Sequence, residues 1–136
     1  MHQHTLVIAT TGRGLVDVTA LVRSVVAAAS VDVGLCHLFC RHTSASLTIQ
    51  ENADPDVLRD LETWMSGAVM DGDPRFRHRD EGPDDMSGHV RTVLTDTSLS
   101  IPIGDGQLLL GTWQGIYLWE HRESPHRRQI VVTVIT

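Results

Sequence analysis

Three histidines, His42, His78 and His89, and a run of carboxylates, Asp80, Glu81, Asp84 and Asp85, are the side chains of this chain best suited to chemistry. Imidazole titrates near neutral pH and is a common metal ligand. Three neutral imidazoles and a water make a catalytic zinc site, and carboxylates behind them orient the rings. Here the carboxylates and two of the histidines share one polar stretch, His78 to His89, with little apolar content to bury. Such a loop has no packing reason to gather these groups, whereas loops held by a rigid scaffold often carry catalytic and binding residues. The spacing from 42 to 78 to 89 matches no compact metal signature. By spacing alone, unrelated loop histidines are the plainer reading.

Three further groups are candidates. Glu51 ends an alternating segment, Ala45 to Glu51, and shares a face with Leu47 and Ile49. A carboxylate aimed inward is costly unless it is paired or binds a metal. In Gly111-Thr112-Trp113-Gln114-Gly115, Trp113 can stack on a heteroaromatic ring and Gln114 can hydrogen-bond to it. A core tryptophan at a strand bend explains the same residues equally well. In Glu120-His121-Arg122 and Arg127-Arg128, an arginine fork suits phosphate, against the usual reading of a solvated charged turn. His37 is expected to face solvent or a subunit neighbour, and His2 and His4 to lie in a frayed end.

These groups need one scaffold. The chain has 136 residues, 41% hydrophobic but only 4% aromatic, so a single core must be built from Val, Leu, Ile and Ala. No apolar run approaches the roughly 20 residues that span a bilayer, and the first residues lack a secretory pattern. The net charge of −6 argues against nucleic acid. All eleven basic residues are arginines, so a lysine Schiff base is excluded and any anion must be met by arginine, histidine or backbone N–H. Cys36 and Cys40 fall four apart on an expected strand, about 13 Å, too far for a disulfide, and are expected as buried thiols in a reducing cytosol. The expectation is a soluble cytoplasmic protein with one domain over residues 1–136, no membrane span and no nucleic-acid partner.

Patterning predicts the elements. A strand runs from Thr5 to Ala9, followed by a turn at Thr11 to Gly14. A helix capped by Asp17 or Thr19 extends to Ala29, with Leu21, Val22, Val25, Ala28 and Ala29 inward. Strands follow at Gly34 to Arg41 and Ala45 to Glu51. Asp54 and Pro55 open a second helix whose buried stripe is Val57, Leu58, Leu61, Trp64, Met65 and Ala68. Met70 to Gly88 reads as loop, and Val90 to Leu94 as either loop or short helix. Leu99 to Ile103 and Gln107 to Leu110 form a hairpin across Gly104-Asp105-Gly106, with Pro102 marking an edge or bulge. Gly115 to Glu120 and Gln129 to Ile135 are the last strands. The class is α+β, a mostly antiparallel sheet or sandwich with two main helices.

The stretches His42-Thr43-Ser44-Ala45-Ser46-Leu47-Thr48, Glu51-Asn52-Ala53-Asp54-Pro55, Asp84-Asp85-Met86-Ser87-Gly88-His89 and Gly111 to Arg122 together resemble the YjbQ family over essentially the whole chain. The resemblance implies a homotrimer. It implies an enzyme of secondary thiamine-phosphate synthase type, joining a pyrimidine pyrophosphate to a thiazole phosphate. On that reading a divalent metal, zinc or magnesium, sits on His42, His78 and His89. Glu51, Asp85 and Gln114 assist catalysis, while Trp113, Glu120 and Arg128 hold the small phosphorylated substrate. A zinc-dependent hydrolase and a non-catalytic trimer binding a metal or small ligand are the alternatives. Two positions depart from the family pattern: Gly88 stands where alanine is expected, and Ser124 to Arg128 replaces a glycine-rich turn, leaving Arg127 or Arg128 as the phosphate arginine.

Overall fold

The computed structural model describes all 136 residues. Eight strands and three helices follow in the order β1 (His2–Ala9), β2 (Gly14–Asp17), α1 (Thr19–Ala29), β3 (Gly34–Cys40), β4 (Ala45–Glu51), α2 (Pro55–Ala68), α3 (Asp85–Leu94), β5 (Ser98–Gly104), β6 (Gln107–Leu108), β7 (Gln114–Glu120) and β8 (Arg127–Ile135). The strands form a five-stranded sheet, β1-β8-β3-β5-β6, and a three-stranded sheet, β2-β7-β4. Every pairing is antiparallel. No helix is long and apolar enough to cross a membrane.

One core lies between the sheets. Its β3 face is Cys36, Leu38 and Cys40, its β8 face Ile130, Val132 and Val134, and its β4 and β7 faces Leu47, Ile116 and Leu118, with Val22, Val25 and Val26 of α1 laid on top. Period-two alternation gives the strand faces, as along β8. Both cysteines are buried and unbridged, and burial pushes the Cys36 thiol up to about 11. The Asp105-Gly106 loop has positive φ at both residues, the mirror-image turn that matches strand twist. Pro102 sits where the β6 pairing ends: β6 pairs with Ile103 and Gly104, and beyond them the Pro102 carbonyl still accepts the Leu109 N–H at 2.9 Å.

Several expectations are corrected. His2 and His4 are not frayed: β1 pairs with β8 from His2↔Val134 onward. Residues Gly14–Asp17 form a strand on β7 rather than ending at a turn. Of the expected stripe of α2, only Met65 is buried, and Trp64 is 65% exposed. There are three helices, and α3 begins at Asp85, inside the stretch read as loop. Asp84 precedes it, and the Gly88 N–H donates to the Asp84 carbonyl at 3.1 Å. A Cβ at Gly88 would lie 3.4 Å from Ser44 Cβ, ordinary contact, so alanine fits there as well.

Candidate functional site

Helix α3 puts Asp85 and His89 one turn apart on the same face. Asp85 is nearly fully buried, at 3% side-chain exposure, and both its oxygens are used. Its Oδ1 accepts from Arg122 Nη1 at 2.9 Å. Its Oδ2 lies 2.7 Å from His78 Nε2 and 3.0 Å from His89 Nε2. The two imidazoles are 5.5 Å apart between ring centres and half-exposed, so they open to solvent above the carboxylate. Burial pushes the Asp85 carboxyl up, but the His78 hydrogen bond and the His89 and Arg122 charges outweigh it and hold it below the usual range.

Arg122 fixes this carboxylate from behind. Its Nη2 donates to the Glu81 carbonyl at 2.9 Å, and its Nε lies 3.2 Å from Asp84 Oδ2, off the line for a hydrogen bond. Asp84 accepts instead from the Glu123 N–H at 2.8 Å. The stretch before α3 is anchored at Asp71. There Arg13 donates through both Nη1 and Nη2, and the Ser87 hydroxyl adds a third bond. Asp71, Asp84 and Asp85 are therefore tied to Arg13, to the segment after β7 and to α3, whereas the Asp80 and Glu81 side chains are exposed.

The tautomer of His89 follows from its partner. Its Nδ1 is 2.8 Å from the Thr43 carbonyl, which can only accept, so Nδ1 carries the proton. Nε2 therefore presents a lone pair to Asp85 Oδ2, or a second proton. A lone pair opposite a carboxylate oxygen at 3.0 Å is repulsive unless a cation lies between them. One ligand atom each from His78, Asp85 and His89 fall within 4.8 Å of one another, a spacing that one metal ion can bridge. A backbone carbonyl fixing a ligand histidine through its other nitrogen is a usual feature of metal sites. Nitrogen and oxygen ligands together suit first-row transition metals.

His42 is not in this cluster. Its Nε2 accepts the Gln129 N–H at 2.7 Å, and its Nδ1 faces Arg128 Nη1 at 3.5 Å, away from His78 and His89. Within the chain, Asp85 takes the third place expected for His42. The second group lies beside it. Glu120 is fully buried and accepts from Arg128 Nε at 2.6 Å, from Arg128 Nη2, from the Thr10 hydroxyl at 3.0 Å and from the Arg122 N–H at 3.1 Å. Glu120, expected as a substrate contact, is thus enclosed within the chain, where it partners Arg128. Arg127 is exposed and Arg128 buried, so of the two Arg128 is the one held in the interior.

Glu51, Trp113 and Gln114 stand elsewhere. β4 and β7 pair from Ala45↔Glu120 to Glu51↔Gln114, six residues along, which is roughly 20 Å. Glu51 is half-buried rather than inward, and its Oε2 accepts the Asp54 N–H at 3.2 Å beside the α2 cap. Gln114 Oε1 accepts the Gly111 N–H at 2.8 Å, closing the turn, and Trp113 is 64% exposed. Within one chain these three form no site with the histidines. Sequence reasoning missed Arg122 as the clamp on Asp85. The Asp85–His89 spacing of four was the signal, masked by reading a loop where a helix begins.

A family profile described as UPF0047 protein YjbQ-like matches residues 4–136. A UPF0047 protein of Synechocystis is 53% identical over 133 residues, covering 98% of this chain and 90% of its own length. YjbQ of Escherichia coli O157:H7 is 40% identical, covering 98% and 96%. A crystal structure from Clostridium acetobutylicum is 35% identical with a TM-score of 0.86, covering 99% of this chain and all of its own. It is described only as an uncharacterized conserved protein of the YjbQ/UPF0047 family, and the two relatives above are likewise named by family alone. None carries a sign of thiamine-phosphate synthesis, which overturns that expectation.

Proposed function

The chain belongs to the YjbQ-like UPF0047 family, and from that premise we propose that it binds a divalent transition-metal ion on His78, Asp85 and His89. The observation that carries the reading is the His89 ring. Thr43 locks its proton on Nδ1 and aims Nε2 at Asp85 Oδ2, with His78 Nε2 on the same oxygen. Two imidazoles and one carboxylate on one face leave further coordination positions open, as in metal sites that accept an outside ligand rather than closed structural ones. A metal there supplies Lewis acidity to that ligand. Arg122 keeps the carboxylate ionised and oriented, and the half-exposed rings give access from solvent.

Beside His78 runs a cleft of about 330 Å³ lined by Gly72, Asp73, Phe76, Arg79 and Met86, which is room for a small molecule. Two buried free thiols support a reducing, cytoplasmic setting. The exposed apolar side chains Trp64, Val93, Leu94, Leu109 and Trp113 support association of copies, in line with a homotrimer.

Metal content of the purified protein, followed by zinc and manganese titration calorimetry on the wild type and on Asp85→Asn, tests the reading. Wild type should bind one ion per chain, and Asp85→Asn should bind at least tenfold more weakly, as expected for loss of an anionic ligand. Equal binding by the two proteins, or none by either, sinks it.

A further inference from the structure

We propose that residues 72–83 form a lid, latched shut by His78 on the metal, so that metal loading builds the cleft beside it. The lid rests on the metal reading and concerns what the ion controls.

The segment is an Ω-loop. It holds no helix or strand and runs between α2 and α3. Its ends meet, the Gly72 N–H donating to the Pro83 carbonyl at 2.9 Å. Loops of this kind, about 6–16 residues long, pack on their own side chains and often carry function. The flanking residues are firmly anchored. Asp71 accepts from both Nη1 and Nη2 of Arg13 and from the Ser87 hydroxyl, and Asp84 accepts the Glu123 N–H. Gly72 and Gly82, near the two ends, have positive φ, so each end turns at a residue with freedom to hinge.

Inside, the loop satisfies itself. The Phe76 N–H donates to the Asp73 carbonyl at 3.0 Å, and the Gly82 N–H to the Arg79 carbonyl at 3.2 Å. The Asp73 carboxylate accepts the Arg75 N–H and guanidinium. Arg79 donates to the Phe76 and Pro74 carbonyls. Only two hydrogen bonds join residues 73–82 to the rest of the chain. One links His78 Nε2 to Asp85 Oδ2 at 2.7 Å; the other runs from Arg122 Nη2 to the Glu81 carbonyl at 2.9 Å.

The first of these two ties is a metal ligand. Asp85 and His89 belong to α3 and stay with it, whereas His78 travels with the loop. The closed loop therefore offers an ion three ligands and the open loop two. An ion that prefers the closed form draws the loop shut by the ratio of the two affinities. The cleft of about 330 Å³ depends on that closure. All its lining residues except Met86 lie within 72–83, so its walls are Phe76 and its neighbours on the loop and Met86 on α3. Swinging the loop away from α3 parts Phe76 from Met86 and opens the cleft to solvent. A small molecule that fills this cleft binds best when the ion is in place.

Trypsin is the probe. Arg75, Arg77 and Arg79 are exposed cleavage sites within the loop. Where opening and closing are fast, cutting follows the open fraction. The full chain stripped by chelator should be cut there. Saturating zinc should slow the cutting by about tenfold or more, the factor by which the ion prefers three ligands to two. His78→Ala, a change at an exposed position, should be cut as fast with zinc as without. Zinc bound by the wild type at one ion per chain, with cutting unchanged, would overturn the lid and leave the metal site standing. No zinc bound by the wild type would overturn both. Equal protection of wild type and His78→Ala would overturn His78 as the latch. Equal protection of Asp85→Asn would trace the effect to trypsin itself and overturn the lid as well.

Discussion

Removing the charge of Glu120 should unsettle the whole domain. Glu120 is fully buried and Arg128 is 6% exposed. The carboxylate accepts two hydrogen bonds from Arg128 and one each from Thr10 and Arg122. Glu120→Gln keeps the shape but leaves the guanidinium with only Ser44 as a strong acceptor. Breaking one half of a buried ion pair costs about 3–5 kcal/mol. With unfolding entropy near 2.1 cal/mol/K per residue, 136 residues give roughly 0.29 kcal/mol/K, so Tm should fall by about 10–17 °C. Scanning calorimetry of the variant at pH 7 measures it. Glu120→Leu with Arg128→Met removes both charges and should recover most of the loss. A drop under about 3 °C in the single variant, or a double variant as damaged as the sum of the singles, would refute the reasoning.

Acid should destabilise the protein through His121. Burial, followed by the nearby arginines Arg91, Arg13 and Arg128, pushes this histidine down to about 3 from 6.5. It stays neutral in the fold, with Nε2 2.8 Å from the Ser46 hydroxyl. The unfolded chain therefore takes up the proton first: stability is full above pH 6.5 and falls as pH drops toward 3. Linkage puts about 2 kcal/mol of loss between pH 7 and pH 5. His121→Gln should flatten that slope in urea melts run across pH, and an unchanged slope rejects the assignment. Light scattering should return three times the 15.0 kDa chain mass; a monomer would remove the trimer.

Strand positions were legible because their signal is local. β4 and the α2 start were found with their bounds, since alternation and the Asp54-Pro55 cap are written in consecutive residues. The buried thiols and the hairpin over Gly104-Asp105-Gly106 followed from the same short-range rules, although Gly104 belongs to β5 and the turn itself is Asp105-Gly106. The α2 face failed because an amphipathic stripe does not say what covers it, and in the chain little does. The start of α3 failed because Asp84 and Asp85 look like loop, and Asp84 makes no side-chain cap bond to reveal the helix. Within the candidate site, His78 and His89 were named in advance and the structure brings both to Asp85, which the sequence reading had given an assisting role. Arg122 and the removal of His42 depend on pairings between segments far apart in sequence, Arg122 with Asp85 and His42 with Gln129. No spacing rule contains them.

The position of β8 has a kinetic consequence. It follows the other seven strands in the chain, yet it lies inside the larger sheet, between β1 and β3. During synthesis β1 and β3 have no common neighbour until residues 127–135 leave the ribosome, so their edges stay open for most of translation. Loss of that segment would not trim an edge; it would split the five-stranded sheet into β1 alone and β3-β5-β6. Most native contacts of this chain close over long sequence separations, which places its folding among slow, β-dominated domains.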